Sequence, residues 1–278
     1  MIDPIFLVEA AINGIMLGGI LALLALGLNL IFGVIDIVWI AYVDLVMVCM
    51  YALYFLVQVY GWPFWLGALA SVAVGAALGV GVHLLIISPI LGSAPINQFL
   101  ATGGLLFFLQ SSATFLWTTD HKSVRFSLPS WELGGIFFPA TRLIPFAISI
   151  VALVGLYVFL TRTYMGTAIR AVSQDREAMA LMGASPQRIY LVTSAVGGLM
   201  AGLAGALLTF QYSVHPFFGG QFGPLTFMIC VLGGLGNMVG AFVASFIMSE
   251  IISIAGVVWS TEMGYVIAFV VFIVMMFI

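Results

Sequence analysis

The chain has 278 residues, 64% of them hydrophobic and 6% charged, with 7 Lys and Arg against 10 Asp and Glu, and a mean hydropathy of +1.27. No soluble core needs so apolar a composition; an ordinary globular domain is excluded, and an all-α polytopic membrane protein is expected, with the lipid bilayer as its first partner. The net charge of −3 is thinly spread and no Lys or Arg precedes Lys122, which excludes nucleic acid as a partner.

The N-terminal run Met1-Ile-Asp3-Pro4-Ile-Phe-Leu-Val-Glu9 has no basic residue ahead of its apolar stretch, so it is read as part of a retained span rather than a cleaved signal. Ala10 to Ile35 carries no acid or base, and Gly14 and Gly18 have the spacing that lets helix backbones approach in lipid. From Leu45 to Thr119 the chain is free of charge, with room for about three spans. A second span is predicted from Ile37 to Tyr60, closed by an aromatic turn around Gly61 and Pro63, and a third from Phe64 to Ile87. Ser88 to Pro95 is rich in helix breakers, and a fourth span follows from Asn97 to Thr119. His83, near the end of the third span, is expected to pair with a neighbouring hydroxyl or backbone group. Cys49 and Cys230 read as small buried hydrophobes, and no His/Glu pair has metal-ligand spacing, so no metal site is expected.

Two polar islands interrupt the apolar sequence. Residues 120–142 hold Lys122, Arg125 and Arg142; residues 162–188 hold Arg162, Arg170, Arg176 and Arg188, and a span from Leu143 to Thr161 separates the two. The islands therefore lie on opposite sides, and the positive-inside rule places 162–188 in the cytoplasm and 120–142 outside. From Asp175 to Gly183 the pattern predicts a short amphipathic helix. Ala178, Leu181 and Met182 fall at i, i+3 and i+4, while Asp175, Arg176 and Glu177 load its first turn, and Gly183 with Pro186 stops it. Its apolar face lies outside the bilayer and needs a partner protein to cover it.

A sixth span begins at Ile189 and carries Gly197, Gly198, Gly202 and Gly205, again at close-packing spacing, and Val214 to Pro224 turns outside. Pro224 to Leu232 is only half a span before Gly233-Gly-Leu-Gly-Asn-Met-Val-Gly240. A broken helix is predicted near 233–240, with Gly233, Gly234, Gly236 and Gly240 where the backbone approaches a neighbour or leaves helical geometry. Spans from Met238 to Ile254 and from Glu262 to Ile278 bring the count to about eight or nine in one transmembrane domain, residues 1–278.

Glu177-Ala178-Met179-x-x-x-Gly183 resembles the cytoplasmic EAA-type loop of ABC importer permeases, and the run from Met165 to Gly183 is similar to the branched-chain amino acid (LivH-type) version. Gly27-Leu-Asn29-Leu-Ile-Phe-Gly33-Val34 resembles that family's first span, and the run from Gly233 to Ala241 its glycine-rich turn. The resemblance implies an ABC importer permease-like bundle whose Asp175, Glu177, Ala178, Leu181, Met182 and Gly183 couple to an ATPase. It also implies a second permease subunit in a heterodimer, two cytoplasmic ATPases and a periplasmic or lipid-anchored solute-binding protein. This chain itself would bind no cofactor and catalyse nothing, ATP-Mg being held by the ATPases: a phosphate-binding loop needs a lysine after its glycines, and the sole lysine, Lys122, sits in Asp-His-Lys-Ser-Val. A rival reading is a self-sufficient channel or ion-coupled transporter using Asp36, Asp44, His83 and Glu250.

Where the family continues I-N-F-A-H-G-E, this chain has Val38-Trp39-Ile40-Ala41-Tyr42-Val43-Asp44. Asp36 and Asp44 are eight residues apart and share a face if the segment is helical. A central Asp costs about 2.5–3.5 kcal/mol on insertion scales, so these acids are expected to face a wet cavity or a partner. Asp36, Trp39, Tyr42 and Asp44 are therefore candidates to line the substrate path. The resemblance implies a small polar or amphipathic cargo that is branched-chain amino acid-like; the bulkier lining, without the family's polar pair, points instead to an amide- or urea-like or aromatic solute.

Overall fold

The structure, a computed structural model, describes residues 4–124, 130–133, 136–175, 179 and 185–277. At membrane depth a backbone amide finds no water, so the apolar stretches close their hydrogen bonds internally as helices. α1 is Pro4–Ile35; α2 is Tyr42–Tyr54, prolonged by a π-helical turn Phe55–Val59; α3 is Phe64–Val82, prolonged through His83–Ile87 and Ser88–Ile90. α4 is Pro95–Trp117, α5 Ala140–Arg162, α6 Tyr164–Gln174, α7 Pro186–Leu208, α8 Phe218–Gly233, α9 Met238–Val258 and α10 Thr261–Met276. Seven of these segments, α1 to α5, α7 and α9, are long and apolar enough to cross a membrane. α8 and α10 are apolar but have 16 residues each, about 24 Å at the α-helical rise.

Two helices form the centre. Ile20 to Ala25 of α1 and nearly all of α2 from Tyr42 to Leu53 are buried, and α7 wedges between them and α3. The glycines of α7 each face a different neighbour. A side chain at Gly197 would meet Ile31 of α1, one at Gly205 would meet Val46 and Cys49 of α2, and those at Gly198 and Gly202 would strike the α3 backbone. Ser71, Gly75 and Gly79 of α3 run antiparallel to Gly202, Gly198 and Ser194, small residue against small residue along the contact. Ser71 Oγ seals the junction, donating to the carbonyls of Cys49 at 2.9 Å and Gly202 at 3.3 Å. Gly14 and Gly18 of α1 play the same part against Glu250, Ser249 and Phe246 of α9.

The ends of the bundle are also specified. Lys122 and Val214 exchange backbone hydrogen bonds at 2.9 and 2.7 Å, joining the segment after α4 to the one after α7 at a single end. At the same end an antiparallel ribbon pairs Ser130 with Pro139 and Leu133 with Ile136, β1 being Ser130–Leu133 and β2 Ile136–Pro139. The 23 residues of α5, about 35 Å, separate this end from the segment that begins at Arg162.

Several boundaries differ from the sequence reading. The second span begins at Tyr42, not Ile37: residues 36–41 are not helical, and Asp36 sits at φ 63°, a left-handed conformation that Asp tolerates better than most residues. Asp36 and Asp44 therefore share no helix face; Asp36 is exposed and Asp44 buried. Nor does Asp36 cap α2, whose N-cap is Ala41. The half-span predicted from Pro224 starts at Phe218, with Pro224 inside the helix. The ribbon at 130–139, and the helical residues 164–174 at the start of the second polar island, carried no sequence signal strong enough to place them.

The α3–α7 contact leaves no room for a side chain. Gly198→Leu is expected to cost more than about 3 kcal/mol, the upper end of ordinary overpacking, because backbone must move. Gly81→Ala, where a new Cβ meets nothing, is expected to be neutral or slightly stabilising. Thermal unfolding of the two purified variants in detergent checks both.

Candidate functional site

At the inner end of α1, Asn29 is fully buried and its one amide serves three backbone groups. Oδ1 accepts from the Gly236 amide at 2.7 Å, while Nδ2 donates to the carbonyls of Asn237 at 2.9 Å and Gly234 at 3.4 Å. These groups belong to the turn between α8 and α9, where Gly234 and Gly236 have φ of 88° and 85°, a region nearly closed to other residues. Gly33 of α1 touches Gly236 directly, and Gly233 packs on Gly240 and Ala241. Asn237 then caps α9, its Oδ1 accepting from the Gly240 amide at 3.1 Å. The non-helical backbone groups of Gly234, Gly236 and Asn237 thereby find protein partners.

Residues 36–41 lie beside this turn. Trp39 is 1% exposed, meets Tyr42 edge to face at 6.0 Å, and borders a small chamber shared with Leu28, Phe32, Phe227, Cys230 and Leu235. Its indole nitrogen has no hydrogen-bond partner among the described residues. Tyr42 is fully buried and donates to the Gly197 carbonyl at 3.1 Å. Asp44, 1% exposed, accepts from Gln110 Nε2 of α4 at 2.9 Å, and its carboxylate rests against Gly219 in the first turn of α8.

The Asp44–Gln110 bond belongs to a seam that α4 makes with α2 and the segment before it. Thr102 Oγ1 donates to the Val38 carbonyl at 3.0 Å, Gln110 meets Asp44, and Trp117 stacks on Tyr51 at 4.3 Å. Tyr51 is fully buried, and its hydroxyl has no partner among the described residues. At the top Lys122 Nζ lies 5.2 Å from the Phe55 ring centroid and 5.8 Å from that of Tyr54. Gln110 and Thr102 were not singled out in the sequence; they stand among Asn97, Gln98, Ser111, Ser112 and Thr114 in the same span, and nothing local marks those two as the ones that meet α2.

The other candidates are dispersed. His83 Nδ1 lies 3.0 Å from Ser194 Oγ on α7, the hydroxyl partner expected of it, and Glu250 packs against Gly14. Asp44, His83 and Glu250 thus keep separate company, and the described residues include no group of three His, Cys, Asp or Glu placed to hold a metal. Cys49 and Cys230 are free and buried.

α6 is amphipathic, burying Gly166, Ile169 and Val172 and exposing Arg170 and Ser173. Thr163 Oγ1 starts it by accepting from the Gly166 amide at 3.0 Å, and Asp175, exposed, is its C-cap. Met179 is partly buried against the core. The remaining docking candidates, Glu177, Ala178, Leu181, Met182 and Gly183, lie outside the described residues. At the opposite end His121 Nδ1 lies 3.0 Å from Ser213 Oγ, and its ring lies 4.5 Å from that of His215.

Apolar helices long enough to cross a membrane, locked by small residues, with the turn between α8 and α9 pinned to α1, define a multi-pass membrane protein. The family described as branched-chain amino acid transport system / permease component matches residues 10–276, and the chain belongs to it. The high-affinity branched-chain amino acid permease protein LivH of Escherichia coli strain K12 is 25% identical over 284 residues, 95% of this chain and 91% of that protein. BraD of Pseudomonas aeruginosa, carrying the same description, is 24% identical over 94% of this chain and 90% of its own length. The fructose import permease protein FruF of Bifidobacterium longum is 31% identical over 54% of this chain and 41% of its own. No solved structure matches the chain. The protein is a membrane-spanning permease component of an ABC-type importer, multi-pass in the bacterial inner membrane.

Asn29→Leu would remove the partner of the Gly236 amide and of the Gly234 and Asn237 carbonyls in a part-buried site. With about 1–3 kcal/mol for each unpaired buried group, a loss of at least about 2 kcal/mol is expected, read as a lower unfolding temperature of the purified permease.

The rim at the Lys122–Val214 end carries a perturbed histidine. Burial holds the His215 imidazole below the ordinary histidine value and His121 adds to this, against the opposing pull of its bond to the Ser213 carbonyl. A group whose folded pKa is depressed binds protons more readily once released, so its share of rim stability is complete above the ordinary value near 6.5 and lost as pH falls below it. Protection factors against hydrogen exchange at residues 121–124 and 213–216, corrected for the intrinsic pH dependence, are expected to fall further between pH 7.5 and 5.5 in the parent than in His215→Gln.

Proposed function

We propose that this permease passes a small polar or amphipathic solute, delivered by a periplasmic or lipid-anchored binding protein, along a path beside residues 36–44. Two cytoplasmic ATPases holding ATP-Mg would drive it, and a second permease subunit would complete a heterodimer; this chain binds no cofactor and catalyses no reaction. The observation that carries the reading is the family match over residues 10–276. The relatives named for branched-chain amino acids match nearly the whole chain, whereas the fructose relative matches about half. That difference supports a nitrogen-bearing cargo. Trp39 and Tyr42, where the family has Asn and His, support one that is amide-like, urea-like or aromatic as readily as a branched-chain amino acid.

In this reading 162–188 is cytoplasmic and 120–142 external. Asp175, Glu177, Ala178, Leu181, Met182 and Gly183 form the segment that docks into the ATPase, and the transmembrane domain occupies residues 1–278. The support is the exposed polar face of α6, which leads into that segment, and the basic count, which favours the cytoplasm. Replacing Leu181 with Glu puts a charge on the apolar face. Uptake is expected to fall at least about tenfold, the effect of losing roughly 1.4 kcal/mol of docking free energy, with the permease still inserted in the membrane. Normal uptake together with normal substrate-stimulated ATP hydrolysis in reconstituted vesicles would sink the docking role.

A further inference from the structure

We propose that Asp44 is the intramembrane acceptor for an N–H group of the cargo, and that in this closed arrangement the Gln110 carboxamide occupies the place the cargo will take. The proposal rests on the reading of residues 36–44 as part of the path, and adds to it α4 as the moving wall.

Asp44 is 1% exposed, and its carboxylate accepts from Gln110 at 2.9 Å and from its own backbone amide. An ionised carboxylate has about four lone-pair sites, and Gln110 is the side chain that donates to it among the described residues, so sites remain for further N–H donors in a medium where unfilled ones are costly. The bland role is a cap: Asp44 rests on Gly219, in the first turn of α8, where a negative charge is favoured. That role explains the position of Asp44 but not its partner. Gln110 comes from a different helix and is itself only partly buried.

α4 is the least embedded of the long helices. Of its 23 residues only Thr102, Leu105 and Ala113 are buried, and its polar contacts to α2 and the segment before it are Thr102 to Val38 and Gln110 to Asp44. Thr102, Gln110, Ala113 and Trp117 form one stripe at helical spacing, and on α2 the matching residues Asp44 and Tyr51 are two turns apart. Tyr51 carries a buried hydroxyl with no partner among the described residues, directly beyond Asp44 on the way to the outer rim. A seam closed by replaceable hydrogen bonds, with an acid at its foot and an unused hydroxyl above it, can exchange Gln110 for a ligand bearing N–H donors. An ammonium would supply charge as well as donors.

The test uses the complete transporter in proteoliposomes, after stimulation of ATP hydrolysis by its binding protein has been established in the parent, which examines the importer reading separately. Uptake is measured for L-leucine, urea, fructose and 4-methylpentanoate, the last being leucine's carbon skeleton without nitrogen. Leucine or urea is expected to be carried and the nitrogen-free probes refused. Asp44→Asn is expected to raise KM for the carried probe at least tenfold, and Gln110→Leu to lower it several-fold by removing the competitor. A cap alone predicts no opposition of sign, so an unchanged KM in Asp44→Asn overturns the assignment, as does uptake of fructose or 4-methylpentanoate in preference to both nitrogen-bearing probes. Opening of the seam is read independently of those variants: Ala113→Cys, with Cys49 and Cys230 replaced by alanine, is expected to react with an external maleimide at least tenfold faster during turnover than at rest. Equal rates would exclude α4 as the moving wall.

Discussion

A peptide group in hydrocarbon has no water to fall back on, and each departure from helical geometry in this protein is arranged around that fact. Two departures matter. Residues 36–41 break the chain between α1 and α2, and 234–237 break it between α8 and α9. Both are held against the C-terminal end of α1, where the Asn29 amide partners three backbone groups of the second. The two irregular segments lie against each other: Trp39 and Leu235 border the same chamber.

Lipid also removes the usual reason for helices to associate, since the chains outside are as apolar as the side chains within. What remains is close approach. α7 achieves it on three sides with Gly197, Gly198, Gly202 and Gly205, and the cost is that none of these positions accepts a larger residue. α4 is attached in the opposite way, through a hydroxyl, an amide and an aromatic stack with little buried surface. The bundle thus combines a rigid set of helices locked backbone to backbone with one wall held by exchangeable contacts. A permease has use for both: the locked part keeps the barrier intact, and the loosely held part can move without dismantling it.

The departure of residues 38–44 from the family's usual sequence takes on meaning in this setting. Trp39 and Tyr42 are core residues here, the first with an indole nitrogen unmatched among the described residues and the second bonded to the α7 backbone. Filling this region with aromatic rings narrows it, and leaves the acid at position 44 as the ionisable group held within the α2–α4 seam. Membership of the family is independent of that local change, since the match extends over residues 10–276.

Much of this was legible in the sequence. Hydropathy sufficed for the membrane class, the run of spans and the break near Gly233, because the length of an apolar run and the spacing of breakers are local properties. Gly14, Gly18 and the glycines of α7 could be named as contact residues for the same reason. Their partners could not: nothing in Ser71, Gly75 and Gly79 says that they will oppose Gly202, Gly198 and Ser194. The seam was further out of reach. Asp44 was visible as an acid in a greasy stretch, but its supposed kinship with Asp36 rested on a helix that does not form, and its actual partner, Gln110, is 66 residues away on another element. Sequence by itself determined which segments leave water and where the backbone must bend, since those depend on transfer free energy and allowed dihedrals. Only the tertiary structure decided which polar groups meet inside, because a buried donor or acceptor is satisfied by whatever the packing of the other helices brings within three ångströms.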